Sequence, residues 1–184
     1  MKIHNLCKKF GNHTIFQNFN IDFEENKVTY LMGKSGIGKT TLLRIISGLD
    51  KDFEGEVNFN GRLSYVFQEP RLFPNLTVLD NLKIVNSNPK YDANKILELV
   101  LLNGCERMLP SALSGGMKMR LSIARALYYD PDIVLMDEPF AALDEETREK
   151  IAENTFKLLK GKTVIVVSHN SDDASKYADK IITI

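Results

Sequence analysis

Cysteine, net charge and long apolar runs are all scarce in this chain. Its 184 residues hold two cysteines, Cys7 and Cys105, too few and too far apart for a disulfide framework or a zinc site, so the cytosol is the expected compartment. Lysine plus arginine (24) cancels aspartate plus glutamate (24), and no long block of one sign occurs. The electrostatic footprint of a nucleic-acid binder is therefore missing. No apolar run exceeds four residues, where a membrane span needs about 20, so the chain is not expected to cross a bilayer by itself. Met1 to Lys9 offers no apolar signal core. At roughly 150 residues per domain, the length predicts one compact unit.

Four short segments are dense in apolar and β-branched residues: Val28–Met32, Leu63–Phe67, Ile133–Met136 and Thr163–Val167. They read as buried strands. Between the last two, in Glu145 to Lys160, the residues Arg148, Ile151, Ala152, Thr155, Leu158 and Leu159 fall at spacings of three and four before Gly161, the pattern of a helix. Alternation of strand and helix predicts an α/β fold with a mainly parallel sheet. The N-terminal part differs. Phe19, Ile21 and Phe23 alternate with polar residues, as do Val57 and Phe59 before the turn pair Asn60-Gly61, which predicts a half-exposed antiparallel sheet. From about Pro70 to Leu127 the pattern is mainly helical, with a capping box at Thr77 and Asp80 and an amphipathic stretch from Asp92 to Leu102 ended by Gly104. No internal repeat or low-complexity segment is present.

Five of the eleven glycines fall in two places, Gly33, Gly36 and Gly38, then Gly115 and Gly116. The first group lies in Gly33-Lys34-Ser35-Gly36-Ile37-Gly38-Lys39-Thr40, which fits G-x-x-x-x-G-K-[ST] between a predicted strand and the helical pattern from Thr41. That is a phosphate cradle. Glycines let backbone N–H groups converge on phosphates, and the helix N-terminus adds partial positive charge. Lys39 is expected to reach the β- and γ-phosphates and Thr40 to supply an oxygen to Mg²⁺; Gly33 through Thr41 are the expected nucleotide contacts. The strand Ile133–Met136 then delivers Asp137 and Glu138. Asp137 is expected to hold Mg²⁺ and Glu138 to polarise the attacking water. A helix cap with first-turn acids is the plainer alternative, but Pro139 follows directly and the next helix begins only near Asp144. Leu113-Ser114-Gly115-Gly116-Met117 opens a helix with Ser114 as N-cap, whose free N–H groups make a second anion site.

A phosphate cradle, Leu-Ser-Gly-Gly at a helix start and Met-Asp-Glu-Pro at a strand end together resemble the ATP-binding cassette ATPase family, whose signature reads Leu-Ser-Gly-Gly-Gln. The resemblance spans essentially the whole chain. It implies a P-loop NTPase core with an N-terminal antiparallel β subdomain and an inserted helical subdomain, the core at about 1–69 and 128–184 and the insertion at about 70–127. By the same resemblance, Gln68 matches the family's glutamine loop, which senses Mg²⁺ and the attacking water. His169 matches the switch histidine that contacts the γ-phosphate, and Phe10 the aromatic position on which adenine stacks, with core packing as its alternative. Ala142-Leu143-Asp144 matches the loop touching the partner subunit, Asp144 serving also as N-cap of the following helix. Ser114, Gly115 and Gly116 are expected to cover the γ-phosphate bound by a second cassette, a homodimer partner or close paralogue, so that two chains close on two ATP molecules.

The family pattern is departed from in three ways. Met117 replaces the signature glutamine, Gln68 lies only 29 positions after Lys39, and the chain runs fifteen residues past His169. These imply slower hydrolysis, a trimmed antiparallel subdomain and a minimal cassette without a regulatory extension. The resemblance implies transmembrane permease subunits as partners, with an extracytoplasmic solute-binding protein among the candidates, and a place on the inner face of the membrane. Glu69-Pro70-Arg71-Leu72-Phe73-Pro74-Asn75-Leu76 has apolar side chains without helical or strand period and suits a docking patch. A hydrophobic staple onto the helix capped at Thr77 is disfavoured because Asn81 stands where its apolar partner belongs. An importer of a small solute is the leading expectation. A non-transport cassette ATPase of DNA repair or translation is the alternative, opposed by the chain's length and neutral charge. A GTPase is opposed because Asn26-Lys27-Val28-Thr29 and Asn94-Lys95-Ile96-Leu97 both lack the final aspartate of a guanine-reading motif, and a module without turnover is opposed by Glu138.

Overall fold

Strand formation begins at the first residues of the chain. In a computed structural model describing all residues from Met1 to Ile184, the strands are β1 (Lys2–Phe10), β2 (His13–Asp22), β3 (Val28–Met32), β4 (Glu54–Asn58), β5 (Leu63–Val66), β6 (Ile133–Asp137), β7 (Thr163–Val167) and β8 (Lys180–Thr183). The helices are α1 (Lys39–Ile46), α2 (Val78–Lys83), α3 (Ala93–Leu99), α4 (Gly115–Tyr128), α5 (Glu145–Leu158) and α6 (Ser171–Tyr177). The chain divides into two compact units. One comprises Met1–Tyr65, Asp132–Asp137 and Gly161–Ile184, the other Val66–Pro131 and Glu138–Lys160.

The first unit holds two sheets. In the antiparallel one the strand order is β2-β1-β4, and irregular register marks bulges along β1. Asn5 and Asn18 take positive φ there (52° and 49°), and asparagine tolerates the left-handed region better than most residues. Ile3, Leu6, Phe16 and Ile21 are buried while their polar neighbours face water, the alternation expected of a one-sided sheet. The five-stranded sheet has order β5-β6-β7-β3-β8, and β6, β7, β3 and β8 pair in parallel. Every residue of β6 and β7 is buried, which is why both read as unbroken apolar runs. Leu42, Leu43, Ile45 and Ile46 of α1 join Ile3, Leu6, Phe16, Leu31, Leu135 and Ile165 in one hydrophobic cluster. Each such side chain contributes about 1.5–3 kcal/mol on burial.

Helices of the second unit start where short polar side chains cap them. Thr77, Asp92, Ser114 and Asp144 each accept a hydrogen bond from a backbone N–H of the first turn. The Thr77–Asp80 pair departs from the expected box. Thr77 caps the Asp80 amide at 3.2 Å, but the Asp80 carboxylate accepts from the Thr77 hydroxyl at 2.6 Å. α3 also stops earlier than Gly104. Leu101 adopts φ 55°, the Leu102 amide bonds the Leu97 carbonyl and the Leu101 amide that of Glu98, the double closure usually built on glycine. Arg120 satisfies the carbonyls of Val100 and Leu101, and Asn154 that of Leu99. β1, β8 and α6 carry too little periodic signal to be anticipated; α6 owes its start to Asn170, whose side chain accepts from the Asp172 and Asp173 amides.

Asn81 on α2 is fully buried. Its carboxamide accepts from the Phe73 amide at 2.8 Å and donates to the carbonyls of Phe73, Leu76 and Thr77. The aperiodic segment before α2 is thus held by polar bonds where a staple would use apolar contact. Replacing Asn81 with alanine strands those groups and should cost about 2–4 kcal/mol in denaturant unfolding. A loss below about 0.5 kcal/mol, the range of ordinary surface substitutions, would show that the segment does not depend on it.

Candidate functional site

The loop from Gly33 to Gly38 joins the end of β3 to the start of α1. Gly33 has φ 153° and Gly38 φ 111°. A Cβ at Gly33 would collide with the Ile184 carbonyl oxygen, and one at Gly38 would lie 2.5 Å from Ile15 Cγ2 and 2.9 Å from the Phe16 ring. Only glycine fits. The Lys39 ammonium folds back into the loop, donating to the carbonyls of Gly33 at 2.8 Å and Lys34 at 2.9 Å, and the residue is 6 % exposed. Lys34, Ser35, Gly36, Ile37 and Thr40 are exposed, while Thr41 is half-buried. The result is a backbone cradle at a helix N-terminus with a cation held inside it, a site for phosphate.

Parallel register brings other groups to the same edge of the sheet. Leu31 and Asp137 both stand level with Val167, so β3, β6 and β7 end together, and the cradle, Asp137 and the turn leading to His169 leave from that edge. Ligands of open parallel sheets bind at this carboxyl edge. His169 is exposed, two residues past β7, and Ser168 accepts from the Asn170 amide at 3.0 Å.

Asp137 is 2 % exposed. The Tyr65 hydroxyl donates to its Oδ2 at 3.3 Å, while its Oδ1 is buried without a hydrogen-bond partner. Burial pushes the carboxyl pKa up, only partly countered by the Thr40 and Tyr65 hydroxyls and the charge of Lys39. A buried carboxylate oxygen left without a donor is costly, and a divalent cation between Asp137 and Thr40 would satisfy it. Both groups offer oxygen, the donor Mg²⁺ prefers, and no cluster of three His, Cys, Asp or Glu side chains competes to make an all-protein cage. The residues fit a Mg²⁺ that takes its remaining ligands from phosphate and water.

Phe10 ends β1 and is 53 % exposed, so its ring is not a core element. Glu138, the first residue past β6, has φ 49°, a conformation costing a non-glycine residue about 1–2 kcal/mol. Such strain concentrates at functional sites. Gln68, two residues beyond β5, is exposed. At the start of α4 the Ser114 Oγ accepts from the Met117 amide at 3.2 Å; Gly115 borders open space, whereas a Cβ on Gly116 would sit 3.3 Å from the Ala142 carbonyl oxygen. The signature turn therefore packs on the loop leading to Asp144, which caps α5 through the Thr147 amide at 3.0 Å. Hydrogen bonds from the backbone and hydroxyl of Thr147, with a smaller contribution from the Arg120 charge, hold the Asp144 carboxyl below its ordinary value.

The predicted residues thus fall into two groups. Phe10, Gly33–Thr41, Asp137 and His169 belong to the first unit, and Gln68, Ser114–Gly116, Glu138 and Asp144 to the second. Sequence reasoning missed Tyr65 and Lys8. Tyr65 reads as one more apolar strand residue, while Lys8 had a faint signal, a lysine two places after Leu6 on the inward face of β1. It also missed Arg125 of α4, which donates to the Arg71 carbonyl at 2.7 Å and lies 5.4 Å from the centre of the Phe73 ring.

The family described as "ABC transporter" matches residues 16–141. An aliphatic sulfonates import ATP-binding protein, SsuB 2 of Pseudomonas syringae pv. tomato, is 41 % identical over 181 residues, 95 % of this chain and 78 % of its own length. An uncharacterized ABC transporter ATP-binding protein of Methanocaldococcus jannaschii is 42 % identical, over all of this chain and 77 % of its own. Among solved structures, the ATP-binding cassette MJ0796, a dimer in a post-hydrolysis state bound to ADP and Pi, superposes with a TM-score of 0.89 at 33 % identity, covering all of this chain and 93 % of that one.

Two glycines of the cradle should respond differently to alanine. At Gly38 the backbone angle and the contacts with Ile15 and Phe16 oppose a Cβ, whereas at Gly36 (φ 81°) no atom lies within 4 Å. Gly36→Ala should cost about 1–2 kcal/mol for its left-handed backbone alone, and Gly38→Ala at least about 3 kcal/mol once the packing clash is added. Thermal unfolding without nucleotide would measure both. Equal shifts would mean that crowding at Gly38 is not felt.

Proposed function

The chain belongs to the ATP-binding cassette family of ABC transporters, and from that premise we propose how its residues share the work. The activity is hydrolysis of ATP with Mg²⁺. Lys39 exchanges the carbonyls of Gly33 and Lys34 for β- and γ-phosphate oxygens, and the backbone from Gly33 to Thr41 closes round them. Thr40 and Asp137 would hold Mg²⁺, which would draw charge from the phosphates, Gln68 would sense that ion and the attacking water, and Phe10 offers its exposed ring to adenine. Glu138 accepts the proton of the attacking water as the γ-phosphoryl group leaves ADP, and His169 bonds that phosphate. The observation that carries this reading is the buried, unpartnered Asp137 Oδ1 beside Thr40 and Lys39, a gap that a bound cation fills.

The 184 residues act as one cassette, a core of about 1–69 and 128–184 with a helical insertion of about 70–127. Catalysis needs a second copy or close paralogue. Its Ser114, Gly115 and Gly116 present a helix N-terminus to the γ-phosphate, with Asp144 in the adjoining loop, so donors from two chains enclose charge that neither encloses alone. Loss of that phosphate removes the bridge, which is the differential affinity a ligand needs to shift an equilibrium. Support for association comes from the dimeric relative bound to ADP and Pi.

The load is membrane transport, and the sulfonate-import relatives favour uptake of a small solute. No helix here is long and apolar enough to cross a membrane, so transmembrane permease subunits provide the path, an extracytoplasmic solute-binding protein delivers cargo, and the cassette sits peripherally on the cytoplasmic face. Glu69–Leu76 is the docking segment. Phe73 is 45 % exposed there, on a backbone fixed by Asn81 and Arg125, which suits a patch that must be apolar and still hold its shape.

Glu138→Gln should bind ATP, lose turnover and accumulate an ATP-bound dimer in size-exclusion chromatography; steady-state hydrolysis near that of the parent would refute the role of Glu138. Stacking on Phe10, worth about 1–3 kcal/mol, reads no base edge, so ATP and GTP should compete with similar affinity. A preference above about a hundredfold, near 2.7 kcal/mol, would contradict a site that only stacks.

A further inference from the structure

Lys8 is a buried cation that the hydrolytic machinery does not use. Its side chain is 2 % exposed on β1, on the inward face that also carries Leu6. A leucine or methionine there would avoid desolvating a charge, and buried ion pairs are commonly no more stabilising than apolar residues of similar size. The contacts of the ammonium indicate what it does instead. Lys8 Nζ donates to Asp50 Oδ1 at 3.0 Å, to the Asp52 carbonyl and to Asp52 Oδ2 at 3.2 Å. It also lies over the Phe10 ring, 4.6 Å from the centroid. Asp50 is itself fixed: its amide bonds the Arg44 carbonyl near the end of α1, and its Oδ1 accepts a second hydrogen bond from the Asp52 amide. α1 is the helix whose first turn carries Lys39, Thr40 and Thr41.

We propose that Lys8 is a positioning residue for nucleotide binding: its ammonium backs one face of Phe10 and ties that ring to the segment leaving the phosphate-binding helix. Phe10 is 53 % exposed, which leaves ring surface for a base. One cation thereby fixes the spacing between the base platform and the triphosphate cradle, and a cation behind the ring strengthens its hold on an electron-rich purine. The ionisation states agree with this network. Burial alone would depress the Lys8 ammonium, but hydrogen bonds and charge from Asp50 and Asp52 outweigh it and hold it above the ordinary lysine value. Burial likewise opposes the Asp50 carboxylate, yet Lys8, the Asp52 amide and Arg44 hold its pKa down.

The inference rests on the reading of Phe10 as the adenine platform, and two ligands separate the two ideas. Binding of MgATP and of Mg-tripolyphosphate, which has the phosphates but no base, would be measured by calorimetry on the full chain. Phe10→Ala should weaken ATP by about 10- to 100-fold and leave tripolyphosphate within about twofold. Lys8→Met should weaken ATP by about three- to tenfold, leave tripolyphosphate within about twofold, and add nothing on the Phe10→Ala background. Should Lys8→Met fail to fold because Asp50 loses its partner, Lys8→Met with Asp50→Asn carries the same test. Unchanged ATP binding in the Lys8 variants, with Phe10→Ala still impaired, would overturn the positioning role alone. Equal weakening of both ligands would overturn it as well, since that is the signature of general structural damage. An unimpaired Phe10→Ala would overturn the platform reading and the inference with it.

Discussion

Everything in the phosphate site depends on the register of three parallel strands. Leu31, Asp137 and Val167 stand level, so β3, β6 and β7 deliver their ends to one edge. Side chains alternate along a strand with a period of two, and a slip of one residue would send Asp137 to the opposite face while leaving the cradle where it is. What prevents slippage is burial on both faces: β6 and β7 have no exposed residue, so a shifted strand would have to bring polar Asp132 or Thr163 into an apolar position. The Asp137 carboxylate is placed by hydrophobic packing before any electrostatic interaction acts on it. Its buried Oδ1 has no hydrogen-bond partner within the chain, and a cation with oxygen preference suits it.

The second unit uses a different device, helix ends fixed by short polar side chains. Ser114 spends its Oγ lone pair on the Met117 amide, which orients α4 and still leaves the hydroxyl proton and the first-turn amides to face an anion. Gly116 is constrained from the other side, since the Ala142 carbonyl leaves no comfortable room for a Cβ. The same helix, near its far end, holds the segment after Gln68 through Arg125, and α2 holds it through Asn81. A loop without regular structure thus keeps its shape because its amide and carbonyl groups have buried partners on two helices, as backbone away from water requires.

Elements governed by strong local patterns were legible in the sequence. β3 and β7 begin and end where their apolar runs do, the helix after Asp144 runs close to its expected span, and the cradle follows from its glycines and Lys39. What was not legible depends on long-range partners. β1 is interrupted by bulges at Asn5 and carries an inward lysine, so neither a period of two nor an apolar count finds it, and Lys8 makes sense only once Asp50 and Asp52 are seen beside it. The end of α3 is set by Arg120 and Asn154 from distant stretches of chain, which let Leu101 take a left-handed conformation where sequence points to Gly104. Asn81 was visible as the wrong residue for a staple, but its four bonds to the preceding segment have no local signature. Tyr65 was hidden because a tyrosine in a buried strand looks the same whether its hydroxyl is idle or orients a carboxylate.

Met117 bears on how a departure from the family signature can be tolerated. The groups this turn can offer an anion are the Ser114 hydroxyl and the amides of the first helical turn, and backbone donors are untouched by a change of side chain. Met117 is itself one of the capped positions: its amide is taken by Ser114, so its own N–H is not available to a ligand whatever side chain it carries. Methionine is unbranched and close to glutamine in length, so the helix accepts it at little conformational cost. What is lost is one amide's hydrogen-bonding capacity at the rim, while the helix N-terminus and its two glycines persist. The substitution therefore changes side-chain hydrogen bonding at the rim of the turn, and the electrostatic part of the signature, which resides in the backbone, survives it.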